Sequence, residues 1–372
     1  MKKLIGKLHL WLGLASGVVV FVVSVTGCLY VFLDDLESVL HRRERFVQVR
    51  PEAKLARPSE VFASIRRTFP ARAFENVYYT DYAEEGRVHS VWAYDGEEEA
   101  YEAVWVHPET AEVTRTYTYA AGFSEDFAGT LIELHTSLML GDVGREIVGV
   151  STLVFVVMMF SGLVLWWPRT WRALKPRLTL KLSGGQKRVN YDLHNVLGFY
   201  VGWVLLIIAL TGLVWAYEWV SHAVQWTVNG GVVTHTEPAE LKVSEVSSDR
   251  ALTAVDAAYG ELLETLPPQH HFVLSEPKTA EPIAITAYPT PRNMPWTRHT
   301  FDPESGTRLA VLSSTQLSRG EQLRDLNWDI HVGTLWGWPT KILAFAASFI
   351  SASLPITGFL IWFPRWRKRR RA

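Results

Sequence analysis

Apolar residues in this 372-residue chain are concentrated in four blocks that are separated by polar stretches. The blocks cover Leu8–Leu33, Ile147–Trp167, Val196–Ala216 and Ile342–Phe363. A helix needs about 20 apolar residues to cross roughly 30 Å of hydrocarbon, and each block is about that long. The pattern therefore predicts four transmembrane helices, with one long polar loop between the first two and another between the last two.

Each long polar loop shows a helical pattern followed by four short alternating stretches, which is typical of a small α+β domain. In the first loop we predict a helix at Pro58–Phe69 and strands at Glu75–Asp81, Arg87–Tyr94, Tyr101–His107 and Glu112–Thr118. In the second we predict a helix at Ser248–Glu264 and strands at His271–Leu274, Pro282–Tyr288, Trp296–Phe301 and Arg308–Leu312. Loops of this length need a structure of their own.

The two halves of the chain repeat the same features at fixed spacings. Four residues of the first half recur 185 positions later: His9, Gly13 and Thr26-Gly27 match His194, Gly198 and Thr211-Gly212. At an offset of 196, His135, Ser161-Gly162 and Trp166–Arg169 match His331, Thr357-Gly358 and Trp362–Arg365. We therefore predict a membrane α+β protein made of two tandem helix–domain–helix repeats, each with a small outer α+β domain.

This repeat predicts the domain boundaries. They are 1–33 for the first transmembrane helix, 34–143 for the first outer domain with the His135 helix, 144–168 for the second helix, 169–191 for a linker, 192–217 for the third helix, 218–338 for the second outer domain with His331, 339–363 for the fourth helix, and 364–372 for a tail. Both ends of the chain and the linker then lie on one side of the membrane.

Charge predicts which side that is. Sixteen basic residues lie in the N-terminal segment, the linker and the tail: Lys2, Lys3, Lys7, Arg169, Arg172, Lys175, Arg177, Lys181, Lys187, Arg188, Arg365, Arg367, Lys368, Arg369, Arg370 and Arg371. The loop 34–143 has 21 acidic against 11 basic residues, and 218–338 has 15 against 8. Positive segments stay in the cytoplasm. We expect a bacterial inner-membrane protein with cytoplasmic termini and periplasmic loops, whose basic runs contact anionic lipid and no nucleic acid.

Cys28 is the only cysteine, which excludes a disulfide framework, a CxxC metal site and CxxCH attachment of haem. The stretch VTGC at Val25–Cys28 resembles a lipoprotein cleavage site. However, the apolar run continues to Leu33, and the third block repeats the pattern without a cysteine. We therefore interpret Cys28 as a packing residue within a membrane helix.

Four histidines occupy repeat-related positions near the ends of the predicted helices. His9 and His194 lie at the cytoplasmic ends of the first and third helices, and His135 and His331 precede the second and fourth helices on the outer side. An ionisable residue in a membrane is costly and suggests a function. Two layers of two histidines predict two bis-imidazole sites, one in each leaflet, and this arrangement suits a b-type haem.

The histidine pattern by itself leaves alternatives open. Each ring could hydrogen-bond at a helix end, and the pattern does not choose haem over zinc or copper, although no carboxylate or cysteine stands beside the histidines to close a zinc site. His222 is a rival outer ligand, but the equivalent position in the first repeat is Glu37. Small residues near the inner histidines could let the helices separate around a flat macrocycle: Gly13, Ser16, Gly17, Gly198 and Gly202.

Four ordered motifs resemble the PepSY-associated transmembrane family nearly from end to end. They are LHLWLGL…VTG, LIELHTSLMLGDVGREIVG…SGLVLWWPR, DLHNVLGFYVGW…LTG and DIHVGTLWGWPTKIL…TGFLIWFPR. The resemblance implies PepSY-like outer domains and two b-type haems, with His9, His194, His135 and His331 as axial ligands of the haem irons. The chain is also similar to FoxB-like inner-membrane ferric-siderophore reductases, which implies that it reduces ferric iron in periplasmic siderophores and releases it for uptake.

Electron transfer of this kind requires no general acid, base or nucleophile, and we predict no catalytic residue of those types. The sequence has no GxGxxG after a strand, so we expect quinol or a separate reductase to supply the electrons. Three other functions remain open: a b-type cytochrome that passes electrons from quinol to a protein, a metal or siderophore permease without redox chemistry, and an anchored binding module. Arg145, Arg188 and Lys7 are candidate partners of haem propionates.

Overall fold

The computed structural model describes the chain except residues 51–53, 73, 83–85, 97–99, 121–122, 125–126, 237–240, 290–293 and 372. It divides into two compact units. The helical unit comprises Met1–Asp34, Thr130–Val224 and Asn327–Ala372, and the sheet unit comprises Asp35–Gly129 and Gln225–Leu326. Each unit is therefore built from both halves of the sequence.

The helices and strands are as follows. In chain order the α-helices are α1 Lys2–Tyr30, α2 Leu33–Leu40, α3 Arg42–Arg45, α4 Pro58–Thr68, α5 Phe127–Ser137, α6 Gly141–Trp166, α7 Leu174–Arg177, α8 Gln186–Asp192, α9 Gly198–Ala216, α10 Glu218–Val228, α11 Ser248–Thr265, α12 Arg319–Asp325, α13 Asn327–Val332 and α14 Trp338–Arg371. The β-strands are β1 Phe74–Asp81, β2 His89–Asp95, β3 Ala100–Val106, β4 Val113–Ala120, β5 Phe123–Ser124, β6 His271–Ser275, β7 Ile283–Tyr288, β8 Thr297–Phe301 and β9 Arg308–Ser313.

Four helices of the helical unit are long and apolar enough to cross a membrane, which confirms the prediction of a multi-pass membrane protein. They are Lys2–Tyr30, Gly141–Trp166, Gln186–Ala216 and Trp338–Pro364. The third combines α8 and α9 through a π-helical segment, Leu193–Leu197, which contains His194. Single π-turns inside α-helices are rare and often occur at functional sites.

One end of the helical unit carries the basic segments. Lys2 Nζ donates a hydrogen bond of 2.9 Å to the carbonyl of Trp167, and Arg177 donates to the carbonyl of Trp166. Cations at this position satisfy the free carbonyls at the C-terminus of α6 and interact favourably with its dipole. The N-terminal segment and the linker therefore meet at the same end, as the repeat predicts.

The strands of the sheet unit form one antiparallel sheet in the order β5-β4-β3-β2-β1-β6-β7-β8-β9. The sequence predicts two separate outer domains, 34–143 and 218–338, but the structure joins them because β1 pairs with β6. Tyr79 lies opposite Leu274 in this pairing. An edge strand has unpaired backbone groups, and pairing the two edges satisfies them.

The core of the sheet unit lies between one face of the sheet and the helices α4 and α11. It includes Phe62 of α4, Leu262 of α11, Val91 of β2 and Ile285 of β7. Ser59 of α4 also donates two hydrogen bonds to Asp256 of α11, at 2.9 Å from its amide and 2.6 Å from its hydroxyl. The two repeats are thus packed against each other through a single core.

Most predicted elements of the sheet unit are present, with ends that differ by one or two residues. Among the described residues, the predicted strand Arg87–Tyr94 is observed as His89–Asp95, and the predicted helix Ser248–Glu264 as Ser248–Thr265. The short helices α2, α10 and α12 were not predicted.

Candidate functional site

The inner pair, His9 and His194, lines one cavity of about 650 Å³ between α1, α6, α9 and α14. Glycines and large apolar side chains provide most of its remaining wall, including Gly13, Gly198 and Phe199. Cofactor sites in proteins usually have volumes of about 300–1,000 Å³ and mostly apolar walls with few polar groups. The cavity therefore has the size and lining of a cofactor site, with two imidazoles in its wall.

The outer pair consists of His135 on α5 and His331 on α13. The centroids of the two rings are 6.2 Å apart, and their planes make an angle of 74°. The chain turns sharply between α5 and α6, because Leu138 and Met139 have φ angles of 52° and 59° and Gly141 has 57°. This break ends α5 two residues after His135.

All four histidines have the same contact at Nδ1. The hydrogen-bond distances are 2.8 Å from His9 to Ser161 Oγ, 3.0 Å from His135 to Thr26 Oγ1, 3.0 Å from His194 to Thr357 Oγ1, and 2.9 Å from His331 to Thr211 Oγ1. These partners are the Ser and Thr residues whose repeat offsets match those of the histidines. The sequence therefore carried a signal for them, but their contact with the rings was not predicted.

These contacts determine which ring nitrogen carries the proton. Each hydroxyl donates its single proton to a carbonyl of the preceding helical turn, for example Thr26 to Val22 at 2.8 Å and Thr357 to Ser353 at 2.9 Å. The hydroxyl oxygen must then accept a hydrogen bond from Nδ1–H. His331 Nδ1 also lies 3.0 Å from the carbonyl of Ile208, which can only accept. All four rings are accordingly assigned as neutral Nδ1–H tautomers.

An Nδ1–H tautomer leaves the lone pair of Nε2 available to a ligand. Within the described residues, no hydrogen bond involves Nε2 of His9, His135, His194 or His331. Metal-binding histidines typically donate the other ring N–H to an acceptor, and that bond fixes the orientation of the ring. Each of the four imidazoles therefore has Nδ1 held by the protein and Nε2 without a hydrogen-bond partner among the described residues.

The rival outer ligand, His222, lies elsewhere. Its side chain is 52% exposed on α10, and its Nε2 lies 3.5 Å from Glu218 Oε1 one turn earlier. Two candidate propionate partners are already paired with carboxylates: Arg145 with Asp142 at 3.0 Å and Arg188 with Asp192 at 2.9 Å. No group of three or more His, Cys, Asp and Glu in the described residues could hold a metal ion by itself.

Aromatic side chains lie next to both histidine pairs. The ring of Trp215 is 5.1 Å from that of His331, and Trp328 is 5.9 Å from Trp215. At the inner cavity, Trp166 stacks on Phe199 with a centroid distance of 3.6 Å. The sequence did not show that Trp215 borders a histidine.

The family model described as the PepSY-associated TM region matches residues 7–365. No curated protein matches the chain. The family match covers all four histidines and both units.

Proposed function

Since the chain belongs to the PepSY-associated transmembrane family, we propose that it is a di-haem membrane reductase that passes electrons to ferric iron in periplasmic siderophores. The observation that supports this most strongly is the repeated Nδ1 contact, which leaves four Nε2 lone pairs in two layers. Coordination by histidine requires a neutral ring with a free nitrogen. The family match supports a membrane protein, and the haem and its substrate are our inference from this geometry.

The residues present fit two haems. Each haem would need two imidazoles that lie close enough together to share one ion. The centroids of His135 and His331 are 6.2 Å apart. The cavity of about 650 Å³ beside His9 and His194 offers space for a macrocycle. Since each pair supplies only two donors, the remaining donors would come from the porphyrin.

The separation of the two pairs suits transfer across the membrane. His135 contacts Thr26, which is on the same helix as His9. The 17 residues between His9 and Thr26 correspond to roughly 26 Å of helix. This is close to the thickness of the hydrocarbon core. We infer that His9 and His194 serve the inner leaflet, and that His135 and His331 serve the outer leaflet.

A bound haem would accept and release one electron at a time through its iron. The protein would contribute four imidazole nitrogens, and it fixes the orientation of the rings and surrounds the inner pair with apolar walls. One electron delivered at the outer site would reduce one chelated ferric ion to ferrous. Siderophore oxygens are hard donors and hold ferrous ion less tightly, so the iron would be released. Quinol or a separate reductase would supply the electrons at the inner side.

Charge supports the proposed orientation in the inner membrane of a bacterium. The basic segments at one end would lie in the cytoplasm, in contact with anionic lipid, and the acidic sheet unit would lie in the periplasm. This orientation brings the outer pair to the side where ferric siderophores arrive. It also leaves the termini, the linker and the inner pair on the side of the electron donor.

Mixing experiments with the purified full-length protein test this function. The dithionite-reduced protein, freed of excess reductant, should lose its reduced haem spectrum when a ferric siderophore is added under nitrogen, and a ferrous chelator should develop colour in step. His331→Ala should abolish this reoxidation, whereas His222→Ala should retain it. Absence of a Soret band after haem supplementation would refute the proposal. A normal haem spectrum without reoxidation would favour a quinol oxidoreductase with a protein acceptor.

A further inference from the structure

Each Ser or Thr that contacts a histidine is followed by a glycine, and each of these glycines faces the same imidazole ring. A Cβ atom at Gly27 would lie 3.0 Å from His135 Cε1, and one at Gly358 would lie 3.1 Å from His194 Cε1. The corresponding distances are 3.2 Å from Gly212 to His331 and 3.3 Å from Gly162 to His9. An added Cβ atom at these distances would push the ring away. The four rings therefore pack directly against the helix backbone at the glycines.

A glycine of α11 in the sheet unit provides a comparison. A Cβ atom at Gly260 would meet no described atom within 4 Å. Gly260 is also inside a helix, and it does not line the cavity of the inner pair. Gly260 can therefore become alanine without a clash, whereas alanine at Gly212 requires the ring of His331 to shift by a few tenths of an ångström.

We propose that the dipeptides Thr26-Gly27, Ser161-Gly162, Thr211-Gly212 and Thr357-Gly358 are positioning residues for the four haem ligands. The hydroxyl accepts Nδ1–H and so keeps the Nε2 lone pair free. The glycine lets the ring approach the helix, and this sets where the ring lies. The identity of the ligand rests on the proposed function, while the contacts of the dipeptides with the rings do not.

The dipeptides connect helices within one repeat. Ser161 on α6 holds His9 of α1, and Thr26 on α1 holds His135, which precedes α6. In the second repeat, Thr357 on α14 holds His194, and Thr211 on α9 holds His331. Each proposed haem instead takes one histidine from each repeat. The dipeptides therefore fix the ligands within a repeat, and the haems would join the two repeats.

The hydroxyl also affects the electronic properties of its ligand. A hydrogen bond from Nδ1–H makes the imidazole more basic, which strengthens its donation to a metal. A stronger donor stabilises ferric over ferrous iron and so lowers the midpoint potential. Removal of the hydroxyl at Thr211 should therefore raise the midpoint potential of the outer haem. Ile208 still accepts from His331 in that variant, so the ring keeps its tautomer and the haem stays bound.

Redox titration and electron paramagnetic resonance of full-length variants test this inference. Thr211→Val should raise the midpoint potential of the outer haem, and Thr211→Ser should restore it. Gly212→Ala should change the g values of the low-spin outer haem or convert it to high spin, and Gly260→Ala should leave both haems unchanged. Wild-type potentials in Thr211→Val together with wild-type g values in Gly212→Ala would overturn the proposal.

A measurement on haem-free protein separates this inference from the proposed function. Solid-state ¹⁵N spectra of histidine-labelled protein in bilayers should show the His331 Nδ1–H signal shifted in Thr211→Val and restored in Thr211→Ser. An unchanged signal in Thr211→Val would overturn the positioning role. A wild-type protein that binds no haem would refute the proposed function. The spectra would still show whether Thr211 accepts a hydrogen bond from His331.

Discussion

Histidines that are buried or partly buried occur in both units of the protein, but their surroundings differ. In the helical unit, two rings from different repeats approach each other at the outer pair, with centroids 6.2 Å apart. In the sheet unit, His89 is 1% exposed, lies 3.1 Å from Asp81 Oδ1 and packs edge-on against Tyr79. His271 stacks on Tyr288 at 4.8 Å. Burial is common to both units, whereas the approach of two rings is seen in the helical unit.

This comparison shows which feature of a buried histidine points to a ligand. In the sheet unit the contacts of His89 and His271 are with tyrosine rings and a carboxylate of the same sheet, and these contacts stabilise the fold. In the helical unit a Ser or Thr takes the Nδ1 proton, and a second histidine comes from the other repeat. A histidine whose Nε2 has no hydrogen bond, and which lies beside a second histidine or lines the same cavity as one, is thus a better candidate ligand than a histidine that is only buried.

The largest expected effect comes from removing a ligand. Under the proposed function His331→Ala should lose the outer haem and keep the inner one, and His9→Ala should do the reverse, because each ring would supply one bond to its haem. His271→Gln, in the sheet unit, should keep both haems. The pyridine haemochrome assay gives haem per protein, and reduced-minus-oxidised spectra show which haem is lost. Loss of haem in His271→Gln would mean that the paired histidines of the helical unit do not differ in function from the histidines of the sheet unit.

The next effect tests the cavity beside the inner pair. Gly198 lines this cavity, and a phenylalanine there would fill part of its volume of about 650 Å³. Gly198→Phe should lose the inner haem and keep the outer haem, since the outer pair has its own contacts. Leu210→Phe is the matched control, because Leu210 is on the same helix with 40% of its surface exposed. Equal loss of both haems in Gly198→Phe would indicate a general folding defect.

A smaller effect is expected from His271, and it concerns stability rather than haem. Burial lowers the pKa of His271 from 6.5 to about 4, with Asp81 opposing the shift and Arg87 and His270 adding to it. Between those two pH values the unfolded chain binds more protons than the folded one. The free energy of unfolding should therefore fall as the pH falls from about 6.5 to about 4, by on the order of 1–2 kcal/mol.

Urea unfolding of the full-length protein in detergent, followed by circular dichroism at pH 7 and pH 4.5, measures this loss. In His271→Gln the free energy of unfolding should differ less between pH 7 and pH 4.5. The free energy of unfolding at pH 7 also changes in this variant, because the stacking on Tyr288 is lost. The haem spectra should be the same in both proteins. If the free energy of unfolding differs between the two pH values as much in the variant as in the wild type, titratable groups other than His271 cause the loss of stability in acid.

The smallest expected effect is at His222, the rival outer ligand. Its exposed ring and its contact with Glu218 place it outside both pairs. His222→Gln should leave the haem content, midpoint potentials and reoxidation by ferric siderophore unchanged. A loss of the outer haem in this variant would mean that His222 holds this haem, and it would contradict the assignment of His135 and His331 as its ligands.

Several features of the fold could be predicted from local patterns. The four transmembrane helices follow from runs of apolar residues, and α11 and β7 follow from periodicity, because these patterns reflect which side of an element is buried. The ends of elements were less predictable, since termini depend on capping and on neighbouring chain. The break after His135 illustrates this: Leu138 and Met139 adopt positive φ angles, which no preference of leucine or methionine would suggest.

The candidate site was predicted in part. Repeat offsets identified His9, His135, His194 and His331, because a duplicated sequence marks equivalent positions even when they are far apart. The same offsets marked Thr26 and Ser161, but they could not show that each hydroxyl contacts a ring from another helix. That contact joins residues more than a hundred positions apart, and it depends on how the helices pack.

The sequence by itself determined the number of spans, the duplication, the charge difference between the two sides and the four histidines, since each is written in local composition or spacing. Only the tertiary structure decided that β1 pairs with β6 to join both repeats in one sheet, that His9 and His194 share a cavity, and that each Nδ1 binds a Ser or Thr. Edge pairing and helix packing bring together residues far apart in sequence, and no local pattern records which surfaces will meet.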